Sequence, residues 1–324
     1  MKRLLLLLSL PLVGGCIDLF EGLWFNPVPV DAYEWPHNDV PDEFLEVVEL
    51  TGTALEGDEE APAIFGVWAH QCRDAFVDDC VDIDHPFFNE DNRAFPVLYF
   101  HGNGGNLQEY WDRVQMLWRM GFPVFAIDYR GFGRSTGDIS ESGVYADART
   151  ALNHALQRRA DADPSLLDPD GNLPTARRAN LWYYGWSLGS TAAIDLSVEH
   201  QPRVLITESA LASAQAFTDD ALGIGISSSV IMDAEFDNVG KVPFILVPKL
   251  FTHGLDDSFV RSDFSSLLYD ASPDPRELYM VPGAVHGSVP CPTRDTSVPS
   301  SEVPCVATDS WYSRIDEFVD ANLR

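Results

Sequence analysis

The sequence predicts an α/β protein built on a mostly parallel sheet covered by helices on both faces. Two observations point there. Short, near-continuous apolar runs recur along the chain, as doubly buried strands require, and segments of helical periodicity alternate with them. Strand signals open at 45–50 (LEVVEL) and 62–69 (PAIFGVWA). A polar, acidic stretch, 71–95, then reads as an insertion loop. PVLYF (96–100) is the next strand, and residues 107–120 carry Leu107, Trp111, Val114, Leu117 and Trp118 at helical spacing. PVFAIDY (123–129) is a strand. The Ala-rich helix expected at 142–158 ends on Arg158 and Arg159, cations that suit a helix C-terminus. After a polar loop at 160–178 come the strand LWYYGW (181–186) and a helix over about 188–200. VLITES (204–209), KLFTHG (249–254) and ELYMVP (277–282) are three further strands, and a helix over about 308–322 closes the chain.

Residues 211–242 break this alternation with Gly223, Gly225 and the serines 227–229, and are expected to form a small lid. The alternative is a crossover helix with a long loop. With 324 residues, 45% of them hydrophobic, the chain can bury one large core, so 41–324 is expected to be a single domain with insertions. Acidic residues outnumber Lys and Arg by 50 to 21, for a net charge of -29. Phosphate binding needs basic patches, so nucleic acid is excluded as a natural partner, and the acidity serves solubility.

The chain opens MKRLLLLLSLPLVGGC. Lys2 and Arg3 precede an apolar run, Leu4 to Val13, that is far shorter than the roughly 20 residues of a membrane-spanning helix. Two glycines then lead to Cys16. This resembles the lipobox of bacterial lipoproteins, with Val13 and Gly14 where Leu and Ala or Ser are commoner. The resemblance implies a signal peptide at 1–15, lipidation of Cys16, and export to a bacterial membrane, periplasmic or at the cell surface. The alternative is an ordinary secretory signal with an incidental cysteine. Residues 16–40, rich in Pro, Trp and Phe, read as a tether or a segment wrapped over the domain. Without Cys16 four cysteines remain, an even number for an oxidising compartment. Of three pairings the local one is preferred: Cys72 with Cys80, and Cys291 with Cys305. Neither pair has the tight spacing of a zinc site, so no metal is expected.

GWSLG (185–189) has the form G-x-S-x-G, directly after a predicted strand and at the start of a helix. That context makes it a nucleophile elbow, in which flanking glycines permit a tight turn that presents the Ser187 hydroxyl. The backbone N–H of Leu188, at the helix N-terminus, is positioned to stabilise an oxyanion. A neutral serine needs a histidine base oriented by a carboxylate. His286, in VPGAVHGSV just after the last strand, is the chosen base; His253 reads as structural and His200 as a helix cap. Asp257 is the chosen acid, with Asp256 and Glu208 as alternatives. HGNGGN (101–106) is a glycine-rich loop after a strand, and the N–H of Asn103, or else Gly104, is the expected second oxyanion donor. It matches neither glycine-rich phosphate motif.

HGNGGN, DYRGFGRSTG (128–137), GWSLGS (185–190), ESA (208–210), HGLDD (253–257) and the late His286 together resemble the α/β-hydrolase superfamily, closest to its small-lid serine hydrolases. The resemblance spans about 95–324. It implies a sheet of about eight strands and a Ser-His-Asp acyl-enzyme mechanism with no cofactor. Departures are the acidic loop 160–178 and the cysteine-bearing stretch 287–308, whose Cys291–Cys305 bridge is expected to steady the loop of His286. The expected substrate is a carboxylic ester, small or lipid. Peptidase, amidase or thioesterase activity is the alternative on the same triad, and a non-catalytic surface-binding lipoprotein is the reading outside enzymes.

Overall fold

The computed structural model describes residues 25–35, 38–72, 80–222, 234–292 and 305–323. The expected signal peptide, Cys16 and residues 223–233 of the expected lid lie outside them. Eight strands form one sheet: β1 (Leu45–Thr51), β2 (Ala63–Ala69), β3 (Val97–Phe100), β4 (Val124–Ile127), β5 (Trp182–Trp186), β6 (Val204–Glu208), β7 (Lys249–Gly254) and β8 (Arg276–Val281). Their spatial order is β1-β2-β4-β3-β5-β6-β7-β8. β2 runs antiparallel to both of its neighbours, and every other pairing is parallel. All eight strand signals in the sequence correspond to these strands.

Period-two alternation divides the core into two layers. On β3, Leu98 and Phe100 face one layer, while Val97 and Tyr99 face the other. The first layer packs against α2 (Glu141–Ala162) and α3 (Leu188–Glu199) through residues such as Val144, Leu152, Ala193 and Leu196. The second packs against α1 (Trp111–Arg119) and α7 (Asp309–Leu323), which contribute Trp111, Val114, Trp311 and Phe318. Ser140 caps α2, its hydroxyl accepting the Gly143 N–H at 3.1 Å.

Three short helices lie among the later strands: α4 (Ala214–Leu222), α5 (Asn238–Lys241) and α6 (Asp263–Ala271). The last was not anticipated between KLFTHG and ELYMVP. Its apolar positions Phe264, Leu267, Leu268 and Ala271 do follow helical spacing. Two disulfides close, Cys72–Cys80 and Cys291–Cys305, the local pairing. No helix among the described residues is long and apolar enough to cross a membrane.

The segment before β1 lies on the domain. Phe25 is buried and meets Phe236 edge-to-face at 6.3 Å, and Trp35 packs on Trp111 at 4.1 Å. Between them Val28 N donates to Gly105 O at 2.7 Å, Gly105 N to Asn26 O at 3.0 Å, and Val30 N to Gly133 O at 2.9 Å.

α3 approaches the sheet closely enough to exclude a side chain at two glycines. A Cβ on Gly189 would lie 1.9 Å from the Phe100 carbonyl oxygen, and one on Gly185 would lie 2.3 Å from the Gly189 carbonyl oxygen. Both obstacles are backbone, so relief requires moving helix or strand. Gly189→Ala is therefore expected to destabilise the fold by about 3 kcal/mol or more. Denaturant unfolding checks this; a loss under about 1 kcal/mol would contradict the packing argument.

Candidate active site

The chemistry-bearing residues collect at one end of the sheet, beyond the C-terminal ends of the parallel strands. β5 ends at Trp186, and α3 begins at Leu188, so the whole reversal falls on Ser187. Its backbone sits at φ 51, ψ -116, a region that side chains rarely occupy. Ser187 N donates to Glu208 O at 2.8 Å, and Ser190 Oγ donates to Gly185 O at 2.8 Å, which fixes both sides of the turn. Leu188 N is among the N–H groups that α3 leaves at its first turn, where an anion is favoured.

Asp257 lies three residues after β7, and His286 five after β8. The structure joins them: His286 Nδ1 is 2.9 Å from Asp257 Oδ2. The other oxygen, Oδ1, accepts the N–H groups of Phe259 at 3.0 Å and Val260 at 2.8 Å. Buried His253 stands 3.2 Å from Oδ2 and also contacts Val260 O at 2.8 Å and Ser265 Oγ at 2.7 Å. Burial alone would raise the Asp257 carboxyl. The hydrogen bonds from His253 and His286, the His286 charge and the Val260 N–H together outweigh burial and hold it well below the usual carboxylate range. Asp256 is exposed on the same turn.

The loop of His286 is pressed against the elbow. The Trp186 and His286 rings lie 5.9 Å apart. Gly287 (φ 76) comes so near the Trp186 ring that a Cβ there would stand 2.7 Å from it. The HGNGGN loop closes the other side: a Cβ on Gly102 would lie 3.6 Å from that of Ser187. Asn103 follows, its Oδ1 accepting the N–H of Asn26 at 3.1 Å. Tyr110 donates to Gly104 O at 2.8 Å. Buried Asp128 anchors the loop ends, accepting Leu107 N at 2.8 Å and the Tyr33 hydroxyl at 2.6 Å, with His101 Nε2 at 3.1 Å. Burial, with Asp128 beside it, pushes the Tyr33 hydroxyl far up, so it stays a donor.

Arg113 was not anticipated. It sits in the first turn of α1, fully buried, with no motif around it. Its Nη2 donates to Glu208 Oε1 at 2.9 Å and to Gly287 O at 2.6 Å; Nη1 meets Asp112 at 2.9 Å, and the guanidinium lies 4.0 Å over the Trp186 ring. Burial opposes its charge, but Asp112 and Glu208 more than restore it. Glu208, an alternative acid, is thus held by Arg113 and by Tyr184 OH at 2.6 Å. His200 lies at the far end of α3 as its C-cap. Phe259, 61% exposed, lies 5.0 Å from the His286 ring and 5.3 Å from Phe217 of α4, so apolar surface borders the site.

The depressed Asp257 carboxyl has a stability consequence with a definite sign. Its folded value lies below the unfolded one, about 3.9, so its contribution is complete above that pH and is lost as pH falls further. The melting-temperature gap between wild type and Asp257→Asn is expected to narrow as pH drops from about 5 to about 3. A gap constant across that range would contradict the assignment.

Comparison with known proteins bears on the fold. The family model described as serine aminopeptidase, S33, matches residues 92–224, which include HGNGGN and GWSLG but neither Asp257 nor His286. The chain is 26% identical over 200 residues to the uncharacterized protein YfhR of Escherichia coli K12, covering 60% of this chain and 64% of that one. It is 30% identical over 202 residues to the alpha/beta hydrolase domain-containing protein aho-3 of Caenorhabditis elegans, covering 61% and 54%. The chain thus spans less than two thirds of the length of these relatives. Among solved structures, the Pyrococcus furiosus esterase Pf2001 superposes with a TM-score of 0.57 at 19% identity, covering 92% of this chain and 100% of that one. With its eight-stranded order and its strand–serine–helix turn, the chain has the α/β-hydrolase fold.

Proposed function

We propose that the protein is an exported, lipid-anchored serine hydrolase that cleaves carboxylic esters. The observation that carries the reading is the Asp257–His286 pair held against a strained serine turn. Ser187 Oγ attacks the ester carbonyl as His286 takes its proton through Nε2, and Asp257 holds the Nδ1–H and balances the imidazolium charge. The N–H groups of Leu188 and Asn103 receive the oxyanion. His286 then returns the proton to the departing alkoxide, and water repeats the sequence on the acyl-enzyme. The apolar border formed by Phe217 and Phe259 favours an ester with an apolar group, small or lipid. Described parts of 211–242 reach that border through Phe217, which supports a lid role for the segment.

The serine-aminopeptidase family model favours a second reading, amide cleavage on the same three residues. Two disulfides suit an exported protein. The lipid anchor rests on the sequence MKRLLLLLSLPLVGGC.

A fluorophosphonate probe is expected to label the wild type and to leave Ser187→Ala unlabelled. The variant should also lose at least about 10³-fold in kcat on chromogenic esters. A folded wild type that takes no label would refute the nucleophile. Amide substrates in the same assay decide between the two readings. Radiolabelled fatty acid is expected to enter the protein in a bacterial host and to be absent from Cys16→Ser, with loss of membrane association. Equal membrane retention by the variant would remove the anchor.

A further inference from the structure

At the opposite end of the sheet lies a hollow. A cavity of about 140 Å³ opens where β2 ends and where β3 and β4 begin, beside the last turns of α2. Trp68, His70, Arg93, Pro123, Arg158 and Arg159 line it. Three guanidinium groups converging on one cavity run against a composition of 50 acidic to 21 basic residues.

One of the three is neutralised. Arg158 grips both oxygens of Glu46, at 2.8 and 2.6 Å, and the same carboxylate meets His70 at 2.8 Å. The other two are not. Arg93 Nη2 donates to the Val81 carbonyl at 2.9 Å, while its buried Nε finds no partner. Arg159 Nε donates to the Ala179 carbonyl at 3.3 Å, and burial, only partly offset by Asp163 acting through space, pulls its guanidinium below the usual value. Among the described residues no carboxylate lies in ion-pair contact with either. Arg159 stands in the last turn of α2, where a cation suits the helix dipole. Arg93 comes from the short 3-10 helix Glu90–Ala94, and its guanidinium lies 5.2 Å over the Phe88 ring, a contact that leaves its charge without a counter-ion.

We propose that this cavity binds a small organic carboxylate with a flat apolar body, of the benzoate class. Two guanidinium groups without a carboxylate partner among the described residues offer the N–H donors that a carboxylate accepts. The walls given by Trp68, Pro96, Pro123 and Ala155 are apolar. A cavity of about 150 Å³ accepts a benzene ring, so the space fits one ring. The net charge of -29 repels a dianion more than a monoanion, which favours carboxylate over phosphate.

The test is calorimetric titration of the intact protein with benzoate, with benzamide as the neutral isostere and inorganic phosphate as the second anion, at constant ionic strength. Saturable benzoate binding is expected, with benzamide and phosphate each weaker by about tenfold or more. Arg159→Gln should weaken benzoate by about tenfold, and Arg159→Lys should recover part of that loss. Arg93→Gln, checked for folding by its melting temperature, should act in the same direction. Four results would each overturn the proposal: no saturable binding to folded wild type, equal binding of benzamide, equal binding of phosphate, or benzoate affinity unchanged in Arg159→Gln. The proposed triad lies at the other end of the sheet, so loss of ester hydrolysis would not bear on this outcome.

Discussion

Everything at the C-terminal end of the parallel strands depends on one backbone reversal, the turn that takes the chain from β5 into α3 through Ser187. A residue at φ 51, ψ -116 is strained by about 1–3 kcal/mol and persists only where its surroundings determine it. Here the determinants are steric and polar together. Gly185 and Gly189 let helix and sheet close to contact distances that no side chain would survive. The amide of Ser187 is fastened to Glu208 O on the neighbouring strand, so the parallel register of β5 and β6 sets the position of the hydroxyl.

The second tier of organisation is the buried ion group around Arg113. Such groups are weak contributors to net stability, because desolvation offsets most of the attraction. Their strength is geometric. One guanidinium reaches the side chain of Glu208, whose backbone holds Ser187, and the carbonyl of Gly287, next to His286, while covering the Trp186 ring between them. Elements distant in sequence are thereby referred to one rigid planar group. Asp257 is held in a comparable way, by two backbone N–H groups and by His253.

The fold was legible in the sequence because buried parallel strands have a strong signature: PVLYF and LWYYGW are near-continuous apolar runs, and each leads into a glycine-bearing turn, HGNGG or SLG. Ser187 was legible because an elbow needs glycines on both sides. Asp257 is buried beside His286 while Asp256 is exposed, a difference that adjacent identical residues cannot display in sequence. Arg113 was hidden for the opposite reason: in a helix otherwise read for its apolar stripe, a lone arginine looks like solvent exposure. Helix α6 was passed over because its nine residues hold three polar groups at the start, and tertiary contact of Phe264 and Leu268 rather than local propensity makes it helical. The segment 25–35 showed no periodicity because its contacts are individual ones, Phe25 in one pocket and Trp35 against another ring.

That segment also gives the molecule a mechanical polarity. Asn26 and Val28 cross Gly105, and Val30 reaches Gly133, so the strip is laced to the loop beside Ser187 before it reaches the first strand. A load drawn through the chain from the side of residue 25 arrives at the HGNGGN loop first and at the sheet only afterwards. Tension at that end would peel hydrogen bonds one by one from that loop, while the sheet, sheared only as a block, would keep its register.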